Sequence, residues 1–422
     1  MATNDIINVK LFGHEIGRIG LNENEKRSSF QYNPEFLRSN ELLNIFPKTG
    51  IIKRIPHVQL FSQFDNETFK GIPPQFADSL PDMFGSIIFK AWLDTKDQNN
   101  ISVIEQLAYV ANRGMGAIEY SPSKKLPLNA TINLTEIIDV LKDVLGLKKS
   151  RYQKDLSSQA LINIFKIGTS AGGARPKILI SESKKDGKVI PGDIEFSDKY
   201  NHYLVKLALD EEDNYHREII EYCYYLTLHK VGIRMMDSKL IDDKHFATLR
   251  YDRQNGEKQH ILTASGMTGW DFKSPNESSY ENLFKLCSFL KVSHAQIEEL
   301  FKRMVFNLIY GNTDDHLKNH SFIYDRESDD WQLSPSYDVT YAMNPLIDFK
   351  KSSRALSVNG KRNKIDRSDI LKIAEDFTIK NPEGIIKEIQ SQKSDLLKLF
   401  KRYGVPKKIS DSIAKRLVDI MK

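Results

Sequence analysis

The chain has 422 residues, 40% of them hydrophobic and 28% charged, with a formal net charge of +5. That balance is that of a globular protein with room for two or three domains and a substantial core, and it excludes a disordered or fibrous chain. The charge excess allows an acidic partner without demanding one, and no apolar run is long enough to span a membrane. The polar opening Met-Ala-Thr-Asn-Asp does not read as a signal peptide, so the expected compartment is a reducing cytoplasm, with Cys223 and Cys287 as buried thiols.

Ile6–Phe12 and Glu15–Leu21 alternate in polarity around Gly13-His14 and predict a hairpin, to which Phe30-Gln31-Tyr32 adds a third strand. Asn33-Pro34-Glu35-Phe36 has the form of a helix start with Pro in the first turn. Residues 71–82, Gly-Ile-Pro-Pro-Gln-Phe-Ala-Asp-Ser-Leu-Pro-Asp, read as a rigid loop entering a helix over 83–93, and a further helix is expected over 103–113. Residues 1–120 contain no convincing catalytic set and read as a small α+β module for docking or binding. Residues 121–133, rich in Pro, Ser and Lys, read as a linker.

Amphipathic helices are expected over 134–146 and 154–166. Gly168-Thr169-Ser170-Ala171-Gly172-Gly173-Ala174-Arg175-Pro176-Lys177 follows, leading into a strand over 178–181. Glycines let backbone amides approach phosphate oxygens, and Arg175 and Lys177 add charge. A strand follows this run, not a helix, and no Gly-x-x-x-x-Gly-Lys-Ser/Thr string is present. That excludes an ordinary P-loop NTPase and suits a flap over a nucleotide of the kind found in kinases. Tyr203–Ala208 reads as a buried strand carrying Lys206, and 214–230 as a long helix carrying Glu218 and Glu221. A strand lysine paired with a helix glutamate positions phosphates in kinases, and either glutamate could be the partner. Phe246–Arg253 reads as the last small-lobe strand crossing into a hinge, with Leu249 and Tyr251 flanking an adenine. The remainder is mostly helical, with helices expected over 283–290, 295–310, 367–377, 383–402 and 408–421. The domain expectation is therefore 1–120, linker 121–133, small lobe 134–253 and helical large lobe 254–422.

The densest chemistry lies between 311 and 340. An apolar helix runs into a polar loop holding Asp314, Asp315, His316, Lys318 and Asn319. Two short strands then flank an acidic turn in which Asp325, Asp329 and Asp330 read as solvated, and they deliver Asp338. Phosphoryl transfer needs a carboxylate at the attacking hydroxyl, here Asp314, and an Asn with a second carboxylate on the metal, here Asn319 and Asp338. Hard oxygen ligands without a Cys/His cluster favour Mg2+ over zinc.

With the Gly-rich loop, Lys206, Thr313-Asp314-Asp315-His316-Leu317-Lys318-Asn319 and Pro335-Ser336-Tyr337-Asp338-Val339 in this order, the chain resembles the HipA-type serine/threonine kinases of bacterial toxin–antitoxin modules over nearly its whole length. The opening hairpin, residues 76–82 and Ala355-Leu356-Ser357-Val358-Asn359-Gly360 also resemble that family. The resemblance implies an α+β, bilobal protein-kinase-like fold with an N-terminal small α/β subdomain and a mostly helical C-terminal lobe. It implies Asp314 as the catalytic residue and Asn319 and Asp338 as metal ligands. It implies ATP contacts at Ser170, Ala171, Gly172, Gly173, Ala174, Lys177, Lys206, Leu249, Tyr251, His316 and Tyr337, with Glu221 as partner of Lys206 and Ser170 as an autophosphorylated, self-inactivating site. The implied cofactors are ATP and Mg2+. The implied partners are a small helix-turn-helix antitoxin resembling HipB and a protein substrate such as an aminoacyl-tRNA synthetase, with DNA contacted mainly through the antitoxin. Arg175-Pro176 departs from the Gln-Glu of many members. The alternative is a pseudokinase, a nucleotide-binding partner in a DNA-bound repressor complex, although such a protein need not keep Asp314, Asn319 and Asp338 together.

Overall fold

The structure, a computed structural model, describes residues 6–22, 24–25, 27–81, 101–123, 138, 176–192, 197–209, 216–345 and 353–420. Outside the described residues lie the run 168–175, the helices expected over 83–93 and 154–166, and all of that over 134–146 except Ile138.

Alternating polarity forms β1 (Ile6–Leu11), β2 (His14–Asn22) and β3 (Arg27–Tyr32). With β4 (Gln59–Phe61) and β5 (Ile118–Ser121) they make an antiparallel sheet in the order β4-β3-β2-β1-β5. Ile7, Val9 and Leu11 point into its core, as the period-two pattern requires. The β1–β2 turn places Phe12 and Gly13 both in the left-handed region, at φ 50° and 82°, the two-residue turn whose twist suits a hairpin. Helix α1 (Pro34–Arg38) starts as the sequence predicts, with the Asn33 side chain accepting the Glu35 N–H.

Residues 71–82 are not all loop. Pro73-Pro74 presets the backbone for a short helix, α2 (Pro74–Ala77). Helix α3 (Val103–Val110) opens on a Ser102–Glu105 capping box and stops at Ala111, whose φ of 51° breaks the helix short of residue 113.

A second sheet has the order β7-β6-β8-β10-β9, from β6 (Lys177–Ser183), β7 (Val189–Pro191), β8 (Tyr200–Lys206), β9 (Ser238–Ile241) and β10 (His245–Leu249). Helix α4 (Arg217–Lys230) joins β8 to β9. After β10 the chain makes a small hairpin, β11 (Arg253–Gln254) and β12 (Glu257–Lys258), through Asn255-Gly256 at φ 52° and 77°. A third sheet, β13-β14-β15, comprises Ile261–Thr263, Ser321–Asp325 and Asp330–Leu333.

The rest is helical: α5 (Ala264–Thr268), α6 (Tyr280–Phe289), α7 (His294–Ile309), α8 (Arg367–Asp376), α9 (Pro382–Ser391), α10 (Lys393–Arg402) and α11 (Lys407–Ala414). The helix expected over 383–402 is two helices that meet at Gln392. There the Ile389 carbonyl accepts both the Tyr310 hydroxyl (2.8 Å) and the Gln392 N–H (3.2 Å), which tightens the last turn of α9. The last helix ends at Ala414 rather than 421.

Two sets of contacts unite these parts. Helix α4 is bound to the large lobe: the Tyr224 hydroxyl donates to the Tyr310 carbonyl at 2.6 Å, and its ring packs against Phe306, Tyr310 and Phe400. The N-terminal sheet and its loops are bound to the third sheet and hinge. Asp329, expected as a solvated turn residue, accepts the Asn44 N–H at 3.0 Å and the Tyr324 hydroxyl, while the Trp331 indole donates to the Asn44 carbonyl at 2.8 Å. Among the described residues, no helix is long and apolar enough to cross a membrane.

Candidate active site

Helix α7 delivers the polar loop. Its end is closed by Gly311 at φ 71°, where a Cβ would stand 3.0 Å from the Tyr341 ring, so glycine is required on two grounds. The loop is then pinned from beneath by Asp315. This buried carboxylate accepts the Tyr280 hydroxyl, the Asn307 amide (2.8 Å) and His320 Nε2–H (2.7 Å). Burial alone pushes its pKa up, but the His320 charge and these donors outweigh it, and the carboxyl is held below its ordinary value. Arg354 donates to the Asn307 and Asn312 carbonyls (2.9 and 2.8 Å), and the Ala355 N–H caps the Thr313 carbonyl at 2.9 Å. A single 3-10 turn, Leu317–Asn319, follows.

This framework leaves Asp314 exposed and turns the Asn319 amide back onto the Asp314 carbonyl at 3.0 Å. With Nδ2 so used, Oδ1 of Asn319 remains an acceptor. His316 packs against Phe272 with ring centres 4.9 Å apart, and its Nδ1 is buried with no partner among the described residues. Burial lowers its pKa, with Asp314 and Asp338 opposing.

Across the cleft, Lys206 ends β8. Its ammonium donates to both Glu221 oxygens, at 2.6 and 2.8 Å, and to Asp338 Oδ1 at 2.5 Å. Burial pulls the lysine's pKa down, but Asp338 and Glu221 carry it above its ordinary value. The buried Lys177 is the cross-strand neighbour of Lys206, so both side chains leave the same face of the sheet. Burial pushes the Asp338 carboxyl up, and Lys206 and then Lys177 overcome that and hold it well below the usual carboxylate range. Asp338 sits at φ 55°, a left-handed conformation that Asp tolerates better than most residues and that clusters at functional sites.

The cleft between these walls is apolar at one end, lined by Leu204, Met235, Met236, Phe246 and Leu249, and charged at the other, with Lys206, Lys318, Asn319 and Asp338. Tyr251 and Tyr337 stack along it, with ring centres 5.7 Å apart, and the Tyr337 hydroxyl donates to the Lys318 carbonyl at 2.8 Å. An apolar slot leading to cations has the polarity of a nucleotide site. One carboxylate and one amide oxygen also fit a hard cation that keeps most of its ligands from phosphate and water, the usual way Mg2+ is held.

Comparison with known families settles the lineage. The HipA-like C-terminal domain matches residues 169–396, more than half of the chain, and the HipA N-terminal domain matches residues 7–121. The chain belongs to the HipA family. A solved complex of HipA, HipB and operator DNA from Shewanella oneidensis MR-1 aligns over 97% of this chain and 94% of that one, with a TM-score of 0.64 and 14% identity, so this HipA chain shares its kinase-like α+β fold. Helicobacter pylori proinflammatory kinase CtkA aligns over 58% of the chain and 88% of its own, at a TM-score of 0.39 and 11% identity. A Haemophilus influenzae protein named "Putative kinase" is 34% identical over 106 residues; the match spans 22% of this chain and 29% of that protein.

Of the site residues expected in this HipA chain, Lys177, Lys206, Glu221, Leu249, Tyr251, Asp314, His316, Asn319, Tyr337 and Asp338 are all described, and Lys206, Glu221, Leu249, Tyr251, Asn319, Tyr337 and Asp338 line one cleft. Glu221 takes Lys206. Ser170, Ala171, Gly172, Gly173 and Ala174 lie outside the described residues.

Sequence reasoning missed Asp315 as the anchor of the loop, although a second carboxylate inside Asp314-Asp315-His316 was a visible signal. It missed Met235 and Met236, for which no sequence signal exists. It also missed the hinge cluster, where buried Asp252 accepts Arg250 at 2.9 and 2.7 Å, Arg253 at 2.7 Å and the Gly116 N–H at 2.8 Å. The run Arg250-Tyr251-Asp252-Arg253 displayed that charge pattern.

Proposed function

We propose that this HipA-family chain is an ATP- and Mg2+-dependent serine/threonine protein kinase and the toxin of a toxin–antitoxin module. The observation that carries this reading is the single lysine, Lys206, held between Glu221 and Asp338 in a cleft whose other wall carries Asn319, fastened to Asp314. That is an arrangement for steadying a triphosphate and aiming an acceptor hydroxyl at its end.

Leu204, Met236, Leu249 and Tyr251 take the adenine, and Lys206 and Lys177 take the inner phosphates. Asn319 Oδ1 and Asp338 hold the Mg2+, which when bound neutralises phosphate charge. Asp314, exposed at the mouth, accepts the proton of the serine or threonine hydroxyl. The hydroxyl oxygen forms its bond to the terminal phosphorus as the bond to the bridging oxygen breaks and ADP departs. Ser170, in the glycine-rich run, is the autophosphorylation site; its phosphate competes with ATP for the same donors and switches the enzyme off. An aminoacyl-tRNA synthetase is the proposed class of target. A small helix-turn-helix protein is the proposed partner, as HipB is in the Shewanella complex.

The test is incubation of the purified chain with labelled ATP and Mg2+, alone and with candidate synthetases, beside Asp314→Asn. Transfer that needs Mg2+ and Asp314, with phosphate found on Ser170, supports the reading. Absence of transfer from the wild-type chain to itself or any protein overturns it.

A further inference from the structure

Lys206, Asn319 and Asp338 account for only part of the cleft. The connection between β4 and α2, and α2 itself, also reach into it, so that Lys70 and Gln75 line the same cavity as Lys318 and Asn319. Lys70 lies in a tight turn, its N–H donating to the Asn66 carbonyl at 2.7 Å, with φ at 51°. A lysine gains nothing locally from the left-handed region, and such residues persist where the surroundings or a ligand hold them.

Lys70 is half-buried and has no ion pair among the described residues. Burial, and then the like charge of Lys318, lower its pKa. Lys318 rests over the Phe272 ring at 5.3 Å and likewise has no carboxylate partner among the described residues. The nearby carboxylates have hydrogen-bond partners of their own, although the charge of Lys318 also reaches Asp78. Asp78 accepts the Thr263 N–H and hydroxyl at 2.8 and 2.9 Å, Asp271 accepts the Thr68 hydroxyl at 2.6 Å and the Lys273 N–H at 3.0 Å, and Asp338 belongs to Lys206. Gln75 is fully buried, and neither of its amide atoms has a partner among the described residues. Two like charges, offset only by the buried Asp78, and an unmatched amide around one cavity favour a further anion between them.

We propose that Lys70 is a phosphate ligand, clasping with Lys318 the terminal phosphate of the bound nucleotide, so that the N-terminal subdomain supplies a catalytic cation to the cleft. Gln75 offers its amide N–H as the neutral donor behind them. The role rests on the kinase reading above and deepens it. Lys70 forms no covalent bond and moves no proton; the phosphorus–oxygen bonds change as already described, and the proton goes to Asp314. As charge spreads over the oxygens of the phosphoryl group in transfer, a fixed cation there gains strength.

The discriminating measurement is affinity for a non-hydrolysable ATP analogue against ADP, both with Mg2+, for the full chain and for Lys70→Met, Lys70→Gln and Lys70→Arg, with thermal melting to confirm folding. Either neutral variant that folds serves as the probe. The expected result is an affinity for the ATP analogue reduced roughly ten- to a hundredfold in the neutral variants, ADP affinity unchanged, and the arginine variant close to wild type. A neutral variant that keeps the wild-type ratio of the two affinities overturns the role of Lys70 alone. A wild-type chain that binds neither nucleotide overturns the kinase reading, and the role of Lys70 with it.

Discussion

The ammonium of Lys206 lies 2.5 Å from the carboxylate of Asp338, so the proposed phosphate cation and the proposed metal ligand neutralise each other. In the proposed reading, nucleotide with Mg2+ competes for both members of that pair. Asp338→Ala should therefore leave a folded protein whose nucleotide affinity no longer responds to Mg2+, since the main anchor of the cation is gone. Calorimetric titration with and without Mg2+ checks this, and an unchanged Mg2+ dependence would move the metal site elsewhere.

Asp314 is exposed, and the loop below it is held by Asp315, Asn307, His320 and Arg354. Asp314→Asn should keep the melting temperature and nucleotide affinity of the wild type while slowing phosphoryl transfer on the order of 10²–10⁴-fold, the range for a group that handles the reacting proton. Single-turnover rates equal to wild type would reject the role.

The hinge cluster sets a stability test. Burial pushes the Asp252 carboxyl up, but Arg250 and Arg253 hold it far below the usual range. Replacing it with Asn takes the Asp252 charge away from the buried Arg250 and Arg253 guanidiniums, a loss of about 3–5 kcal/mol for such a broken pair. Because the folded pKa is depressed, the contribution is present in full above the unfolded value of about 3.9 and is lost as pH falls through the folded one. The gap between wild type and Asp252→Asn in urea unfolding should thus be constant from neutral pH down to about 4 and narrow only below that.

A second pH effect has a higher window. His202, His245 and His260 are buried, and burial first, aided by Arg250 and Arg253 at His202 and by Lys244 at His245, pulls each down to about 4. Unfolded histidines take up protons near pH 6.5, while these stay neutral in the fold to a much lower pH. The unfolded state therefore binds more protons between those values, and stability should fall as pH falls through them. His245 Nδ1 accepts the Ala208 N–H at 3.0 Å, a role the oxygen of Asn can copy, so His245→Asn should flatten the slope of melting temperature against pH.

What the sequence made legible follows from the range of each interaction. Strand periodicity, the Asn33 cap and the order of Lys206, Asp314, Asn319 and Asp338 are local signals, and all were readable. Glu218 and Glu221 could not be separated, because the choice depends on how far α4 turns against β8. Asp329 read as a solvated turn residue because its partner, Asn44, lies 285 residues away. The break at Gln392 was invisible for a similar reason: the Tyr310 hydroxyl that caps Ile389 comes from just past the end of α7. Lys70 stood out only once the turn beneath it and Lys318 opposite it were in place.

The bonds from Asn44 to Asp329, Asp78 to Thr263 and Gly116 to Asp252 cross 285, 185 and 136 residues. A ribosome adding roughly 5–20 residues per second completes the first sheet at Ser121 some 10–40 seconds before it finishes the strand ending at Leu333. During that interval the surfaces that later meet the hinge and third sheet, including the turn around Lys70, face solvent. Until the strand ending at Leu333 has been made, those surfaces lack the partners their own chain later supplies, and a chaperone or a bound partner acting in that interval is expected to raise the yield of folded protein.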